Sequence, residues 1–182
     1  AFFNCWMLSS VEIPASVQSI GDYAFHYCFS LEEYIVNSDN TAYSSDDRGV
    51  LFDKNKTELI AYPSGSEAEA YSIPDTVKTI RWSAFEECGS LTLIEIPAGV
   101  TSIGFMAFAY CGALEAITVD AGNTAYCSVD GVLFNKAKTE LIAYPGGSTQ
   151  KAYSVPDTVK NIEIFAFVGS SLLTSVEIPK SV

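Results

Sequence analysis

The sequence predicts a solenoid, a stack of short coils that each bury an apolar face against the next. Three observations carry that prediction. A fourteen-residue pattern occurs five times, as AFFNCWMLSSVEIP (1–14), AFHYCFSLEEYIVN (24–37), AFEECGSLTLIEIP (84–97), AFAYCGALEAITVD (107–120) and AFVGSSLLTSVEIP (166–179). The connectors PASVQSIGDY, PDTVKTIRWS, PAGVTSIGFM and PDTVKNIEIF place Val three and Ile six residues after the proline. The copies begin at residues 1, 24, 84, 107 and 166, so the spacings are 23, 60, 23 and 59, and a short and a long repeat together form a unit of 82 to 83 residues. Self-similarity at such periods marks supersecondary units that cannot fold alone and stabilise one another by stacking.

Each element follows from its residues. Ala107-Phe108 with Cys111 three residues after the Phe predicts one short turn, of 3-10 type because few residues are available. In LTLIEIP (91–97), Ile94 and Ile96 flank Glu95 with the period of two expected of a strand buried on one face. Pro14, Pro74, Pro97, Pro156 and Pro179 end these strands, since proline donates nothing to a ladder. Val100 and Ile103 then point inward from a return segment. The long connectors NTAYSSDDRGVLFDKNKTELIAYP (40–63) and NTAYCSVDGVLFNKAKTELIAYP (123–145) share one pattern, with one extra residue in the first. In the first, Val50-Leu51-Phe52 and Leu59-Ile60-Ala61-Tyr62 flank a polar Asp53-Lys54-Asn55-Lys56 tip, which predicts a β-hairpin. The hairpin either lengthens the sheet or projects from its edge. A single domain is expected over 1–182. Because the chain starts and stops inside copies, it reads as a fragment of a longer array.

Composition narrows the function. The chain has 182 residues, 48% hydrophobic, and a formal net charge of −12. Such acidity argues against nucleic acid, which requires clustered Lys and Arg, and serves solubility. No run of eighteen or more apolar residues exists to cross a membrane, and the N-terminus shows no basic region followed by an apolar stretch, so a signal sequence is expected to lie outside this fragment. Cys5, Cys28, Cys88 and Cys111 occupy one slot of the repeat, where Ser170 stands in the fifth copy, so they read as a buried column of reduced thiols. Cys127 falls outside that column. A disulfide such as Cys88–Cys111 is the lesser reading, and zinc is disfavoured by the lack of CxxC spacing.

An L-x-x-I-x-I-P strand, a V-x-x-I, an Ala-Phe and a C-x-x-L at a period of 23 together resemble the BspA-like, or Treponema pallidum type, leucine-rich repeat. The N-T-A-Y to D-G-V-L-F to L-I-A-Y-P insert is a further feature of that family's bacterial members, and the resemblance covers essentially the whole chain. It implies an α/β, right-handed, curved leucine-rich-repeat solenoid with a parallel sheet on its concave face, short 3-10 turns and two inserted hairpins. It also implies a secreted or cell-surface bacterial protein that works by adhesion or ligand binding. Asn37 and Asp120 replace the strand-ending proline in the copies that enter the inserts.

Candidate sites are few, and no cofactor is expected. His26 stands at a position filled by Phe3, Glu86, Ala109 and Val168 in the other copies, so it reads as a free, exposed side chain rather than a general base. Glu32-Glu33, Asp46-Asp47 and Glu86-Glu87 are neighbours that point different ways and form no acid/base pair. Asp53, Asn55 and Thr57 alternate like calcium ligands, but their counterparts Asn135, Ala137 and Thr139 do not, so a turn is the better account. The chain therefore reads as a non-enzyme. Outward residues of successive strands form two columns, Glu12, Ile35, Ser72, Glu95, Thr118, Ser154, Glu177 and Ser10, Glu33, Ala70, Leu93, Ala116, Ala152, Ser175. From these, Glu12, Glu95 and Glu177 are candidate ligand-binding residues. Trp82 is a fourth, because its counterparts are Asp22, Phe105 and Ile164. The tyrosines of the long units, among them Tyr62 and Tyr144, pack the hairpins or else form an adhesive surface. The expected partner is a protein or glycan, and the alternatives are a structural spacer or a targeting arm of a larger surface protein or enzyme.

Overall fold

A computed structural model describes residues 1–21 and 23–182; Asp22, one counterpart of Trp82, lies outside the described residues. The chain opens with β1 (Ser10–Ile13) and β2 (Glu33–Val36), followed by the first insert, β3 (Tyr43–Ser45), β4 (Leu51–Asp53) and β5 (Glu58–Ala61). The middle coils contribute β6 (Ala70–Ser72), β7 (Thr79–Ile80), β8 (Leu93–Ile96), β9 (Ser102–Ile103) and β10 (Ala116–Val119). A second insert, β11 (Tyr126–Val129), β12 (Val132–Asn135) and β13 (Glu140–Ala143), precedes β14 (Ala152–Ser154), β15 (Asn161–Ile162) and β16 (Ser175–Glu177).

Seven coils result, each starting on β1, β2, β6, β8, β10, β14 or β16. These strands begin 23 residues apart, except across the inserts, where the distances are 37 and 36. They pair in parallel and in register, so Ser72, Glu95 and Thr118 lie side by side, as do Ser154 and Glu177. Burial alternates along them: in β8, Ile94 and Ile96 are enclosed while Glu95 faces solvent. Full burial of one such aliphatic side chain is worth about 1.5–3 kcal/mol, and the column of Leu91, Ile94, Val100 and Phe85 is 0% exposed.

The Ala-Phe segment differs from the expected 3-10 turn. Among the described residues there is no helix of any kind, and the protein is a strand-rich β-solenoid rather than an α/β structure. A 3-10 helix needs consecutive i→i−3 bonds. Here Ala84, Glu86 and Cys88 donate to Arg81, Ser83 and Phe85, while Ser83, Phe85 and Glu87 donate to Phe105, Ala107 and Ala109 of the next coil. Every second amide is therefore spent between coils. The alternation is made by left-handed residues at fixed places: Tyr23, Ser83, Met106 and Phe165 before the Ala, and Asn4, Tyr27, Glu87 and Tyr110 two after the Phe. Only the last copy uses a glycine there, Gly169. Non-glycine residues avoid this region, and stacking holds them in it.

Each insert is a three-stranded antiparallel meander, β3-β4-β5 or β11-β12-β13, and its last strand joins the return-segment sheet in parallel with β7 or β15. The turn before β4 or β12 tucks against the first sheet, where Gly49 and Gly131 accept from the amides of Tyr34 and Ile117. Gly49 has φ of 71°, and a Cβ there would lie 2.5 Å from that of Glu33. The inserts thus divide the first sheet into β1-β2, β6-β8-β10 and β14-β16.

Entry to each insert depends on a pair of polar residues in apolar slots. Asn40 and Asn123 occupy the place of the repeat's Val, and Tyr43 and Tyr126 that of its Ile. Asn123 is 1% exposed; its Nδ2 donates to Pro97 and Val100 carbonyls at 2.9 and 3.0 Å, and its Oδ1 accepts from the amides of Ala125 and Tyr126. Asn40 repeats all four bonds. The hydroxyls of Tyr43 and Tyr126 accept from the Ile20 and Ile103 amides. Where the chain leaves the stack, side chains replace the lost backbone ladder.

The remaining expectations resolve locally. Asp53 closes its turn by accepting from Thr57 N, Thr57 Oγ1 and Glu58 N at 2.6–2.7 Å, and Asn135 does likewise with Thr139 and Glu140. All five cysteines are free, and Cys28, Cys88 and Cys111 are buried. Tyr62 and Tyr144 are buried in the slot that Phe85 and Phe167 fill in the following coils, with ring centroids 5.3 Å apart in both pairs.

Candidate functional site

The inserts change the coils that carry them at a second place. Four residues separate Ile80 from Phe85, Ile103 from Phe108 and Ile162 from Phe167, but only two separate Leu59 from Tyr62 or Leu141 from Tyr144. Leu59 still pairs with Ile80, and Tyr62 N still donates to Ala84 O. The shortened coil therefore keeps its register and lacks the outward loop that its neighbours carry. The result is two equivalent notches along the Ala-Phe edge, each floored by the Ile-Ala-Tyr of a shortened coil and walled by the loops of the coils on either side.

The first notch is filled by its own walls. Tyr23 and Trp82 meet over it with ring centroids 4.3 Å apart, and His26 lies 5.7 Å from Trp82 and 4.0 Å from Tyr27. His26 Nδ1 sits 2.7 Å from Glu86 Oε2, and their side chains are only 10% and 6% exposed. The expectation of an exposed His26 is thus corrected: the shortened coil lets it fold across to Glu86. Burial pushes the Glu86 carboxyl up, and Ser83 and the nearby imidazole only partly offset this. Among the described residues neither Glu86 oxygen has an aligned hydrogen-bond donor, so the pair is a close contact without a hydrogen bond. A cavity of about 100 Å³ remains. Below it, Arg81 Nε pairs with Glu58 at 3.2 Å.

The second notch is open. Ala109 and Val168 stand where His26 and Glu86 stand in the first, and the cavity is about 240 Å³. Its rim is Phe105 and Phe165, with centroids 5.8 Å apart, and Ile164. Here Glu163 replaces Arg81, so the counterpart of the Arg81–Glu58 pair is Glu163 facing Glu140. Burial first, then the neighbouring Glu163, pushes the Glu140 carboxyl up.

The four residues singled out from sequence fall on different sides. Glu12, Glu95 and Glu177 are exposed on separate parts of the divided first sheet; Glu95 accepts from the Ser72 hydroxyl and Glu177 from that of Ser154 at 3.0 Å. Trp82 lies away from them, half-buried in the first notch. The roles of Glu86, Glu140 and Glu163 escaped the sequence reading. Aligning KTELIAYP and IRWSAF with KTELIAYP and IEIFAF shows the Arg-to-Glu exchange, but not that the two positions face each other.

A family model described as "BspA type Leucine rich repeat region" matches residues 1–48, 60–150 and 142–182 in six copies. Among solved structures, the chain is similar to the pneumococcal vaccine antigen PcpA, with 30% identity and a TM-score of 0.69 over 96% of this chain and 40% of that one. It is equally similar to a leucine-rich cell surface protein from Faecalibacterium prausnitzii, with 30% identity, a TM-score of 0.69 and coverage of 94% and 48%. A leucine-rich repeat protein from Eubacterium ventriosum follows at 25% identity and a TM-score of 0.61, with 94% and 49% covered. The chain spans less than half the length of each. No curated protein matches it.

Proposed function

Because this chain belongs to the BspA-type leucine-rich repeat family, we propose that it is a non-enzymatic interaction module displayed outside the cell, binding a protein or a glycan by surface contact. The observation that carries this reading is the division of labour within the repeat. The shared positions are spent on the core, as Phe85, Leu91, Ile94 and Val100 show, while the positions that vary lie on the first sheet's outer face and on the notch edge. Repetition places those variable side chains in register, which is how solenoids build extended binding surfaces. The neighbours' descriptions as a vaccine antigen and a cell surface protein support exposure outside the cell. The His26–Glu86 pair does not argue for catalysis, because it is enclosed by aromatic walls that leave a reacting group little room.

Two surfaces are offered to a partner. Glu12, Glu95 and Glu177 make the sheet face mildly acidic, without the aromatic or arginine anchors that dominate interface energetics. Trp82 and the aromatic rims of the notches supply such anchors on the other edge. The test is a binding assay of the chain against immobilised extracellular-matrix proteins and a glycan array, repeated with Trp82→Ala and with the triple change Glu12→Lys, Glu95→Lys, Glu177→Lys. Saturable binding reduced by either variant supports the module and identifies its face. Absence of binding to every protein and sugar would instead make the chain a spacer or targeting arm of a larger protein.

A further inference from the structure

The second notch differs from the first in one chemical respect. In the first, the carboxylate of Glu58 on β5 is met by the guanidinium of Arg81 from the next coil, 3.2 Å away. In the second, the same carboxylate, Glu140 on β13, lines one cavity together with a second carboxylate, Glu163, which stands at the place of Arg81. The scaffold around the two is the same: β5 and β13 both read ELIA and pair in the same register with the following coil, Glu58 opposite Thr79 and Glu140 opposite Asn161. A site that holds a cation in one copy has lost it in the other. Like charges placed in one cavity are unfavourable.

The same notch also has unfilled space. Replacing His26 and Glu86 by Ala109 and Val168 leaves the cavity of about 240 Å³, against about 100 Å³ in the first notch. That is below the roughly 300–1,000 Å³ of pockets for small-molecule ligands, and it suits a single side chain. Its rim is exposed apolar surface, with Phe105 41%, Phe165 46% and Ile164 68% exposed. A guanidinium on an aliphatic stem matches both features, since it pairs with carboxylates and stacks on aromatic faces, whereas a lysine ammonium is more strongly hydrated.

We propose that the second notch is a docking site for an arginine side chain of a protein partner, which packs against the Phe105–Phe165 rim and supplies to Glu140 and Glu163 the charge that Arg81 supplies to Glu58 in the first notch. This deepens the reading of the chain as an interaction module, and it rests on that reading only for the partner being a protein.

The experiment titrates the isotopically labelled chain with N-acetyl-arginine methylamide and, separately, with the neutral isostere N-acetyl-citrulline methylamide, following backbone amide shifts. Arginine should produce saturable shifts at Ala143, Ile164 and Phe165, with citrulline weaker by about tenfold. Glu163→Arg places the cation within the chain and should abolish the arginine-dependent shifts; Glu163→Gln, which keeps the side chain's shape, should weaken them. Equal response to citrulline, shifts that survive in Glu163→Arg, or no saturable shift at these residues overturns the proposal. Binding to an immobilised protein that is unaffected by Glu163→Arg would also overturn it while leaving the interaction module standing, so the two readings fail separately.

Discussion

The two insert-bearing coils share the strand KTELIAYP (56–63 and 138–145), the same buried asparagine and the same two-residue shortening, yet one ends in a filled notch and the other in an open one. Everything that makes the notches alike belongs to the backbone and its anchors. Everything that makes them differ sits on the flanking loops, where His26, Arg81 and Glu86 in one become Ala109, Glu163 and Val168 in the other. Repetition has kept the socket and released its contents. A single chain thus contains its own control, and each of the following changes uses one notch to interrogate the other.

The largest effect should come from the shared anchors. Asn40→Val and Asn123→Val restore the residue of ordinary coils, so they leave the slot filled and remove four hydrogen bonds to buried backbone. Each should lower unfolding free energy by about 2–4 kcal/mol, measured by urea denaturation. Equal losses are expected; a silent change at one site would show that the two inserts are anchored differently.

A smaller loss is expected from His26→Ala, which strips the contacts to Phe3, Tyr23 and Trp82 and leaves the buried Glu86 carboxyl without its imidazole neighbour. A cost of about 1–3 kcal/mol is expected, read as a fall in melting temperature. In the second notch the small Ala109 stands at the place of His26. Ala109→Gly, at the matching place, should therefore cost clearly less, about 1 kcal/mol.

The filled notch should also leave a pH signature. With the Glu86 carboxyl raised above its ordinary 4.5, the folded state holds more protons than the unfolded state between 4.5 and the raised value. Stability from this group is therefore full below 4.5 and falls as pH rises through that window. Glu86→Gln should remove this component, so its stability relative to the parent should increase from pH 4 to 7. A constant difference across that range would mean that Glu86 titrates normally and the notch is wetter than its geometry indicates.

The smallest effects concern the exchanged charge. Arg81→Glu converts the first notch to the charge pattern of the second, and Glu163→Arg does the reverse. Both sites are about one-third exposed or partly exposed, so shifts of opposite sign, about 0.5–1 kcal/mol each, are expected in thermal unfolding. Added salt should reduce both. Shifts of the same sign would break the equivalence of the two notches.

Much of this was legible in the residues. The period of 23, the proline after each strand and the alternation of Ile94, Glu95 and Ile96 predict stacked coils and the parallel register that the strands adopt. Other readings were overturned for identifiable reasons. The Ala-Phe segment carries the composition of a short 3-10 turn, but half its amides bond to the next coil, which no local propensity encodes. His26 varies among copies in the way exposed residues do, yet it is enclosed because a coil some 35 residues further on is two residues short. The asparagine and tyrosine that open each insert look like loop residues, although they fill the Val and Ile slots of the core.

The sequence by itself determined the stack, because period, apolar spacing and proline placement act within one repeat and are written in consecutive residues. Only the tertiary structure decided where the free surface lies and what charges meet there. Glu140 and Glu163, or His26 and Glu86, are far apart along the chain and come together across a missing loop. Whether two carboxylates stand apart or face to face is a matter of distance and burial, and those exist only once the coils are stacked.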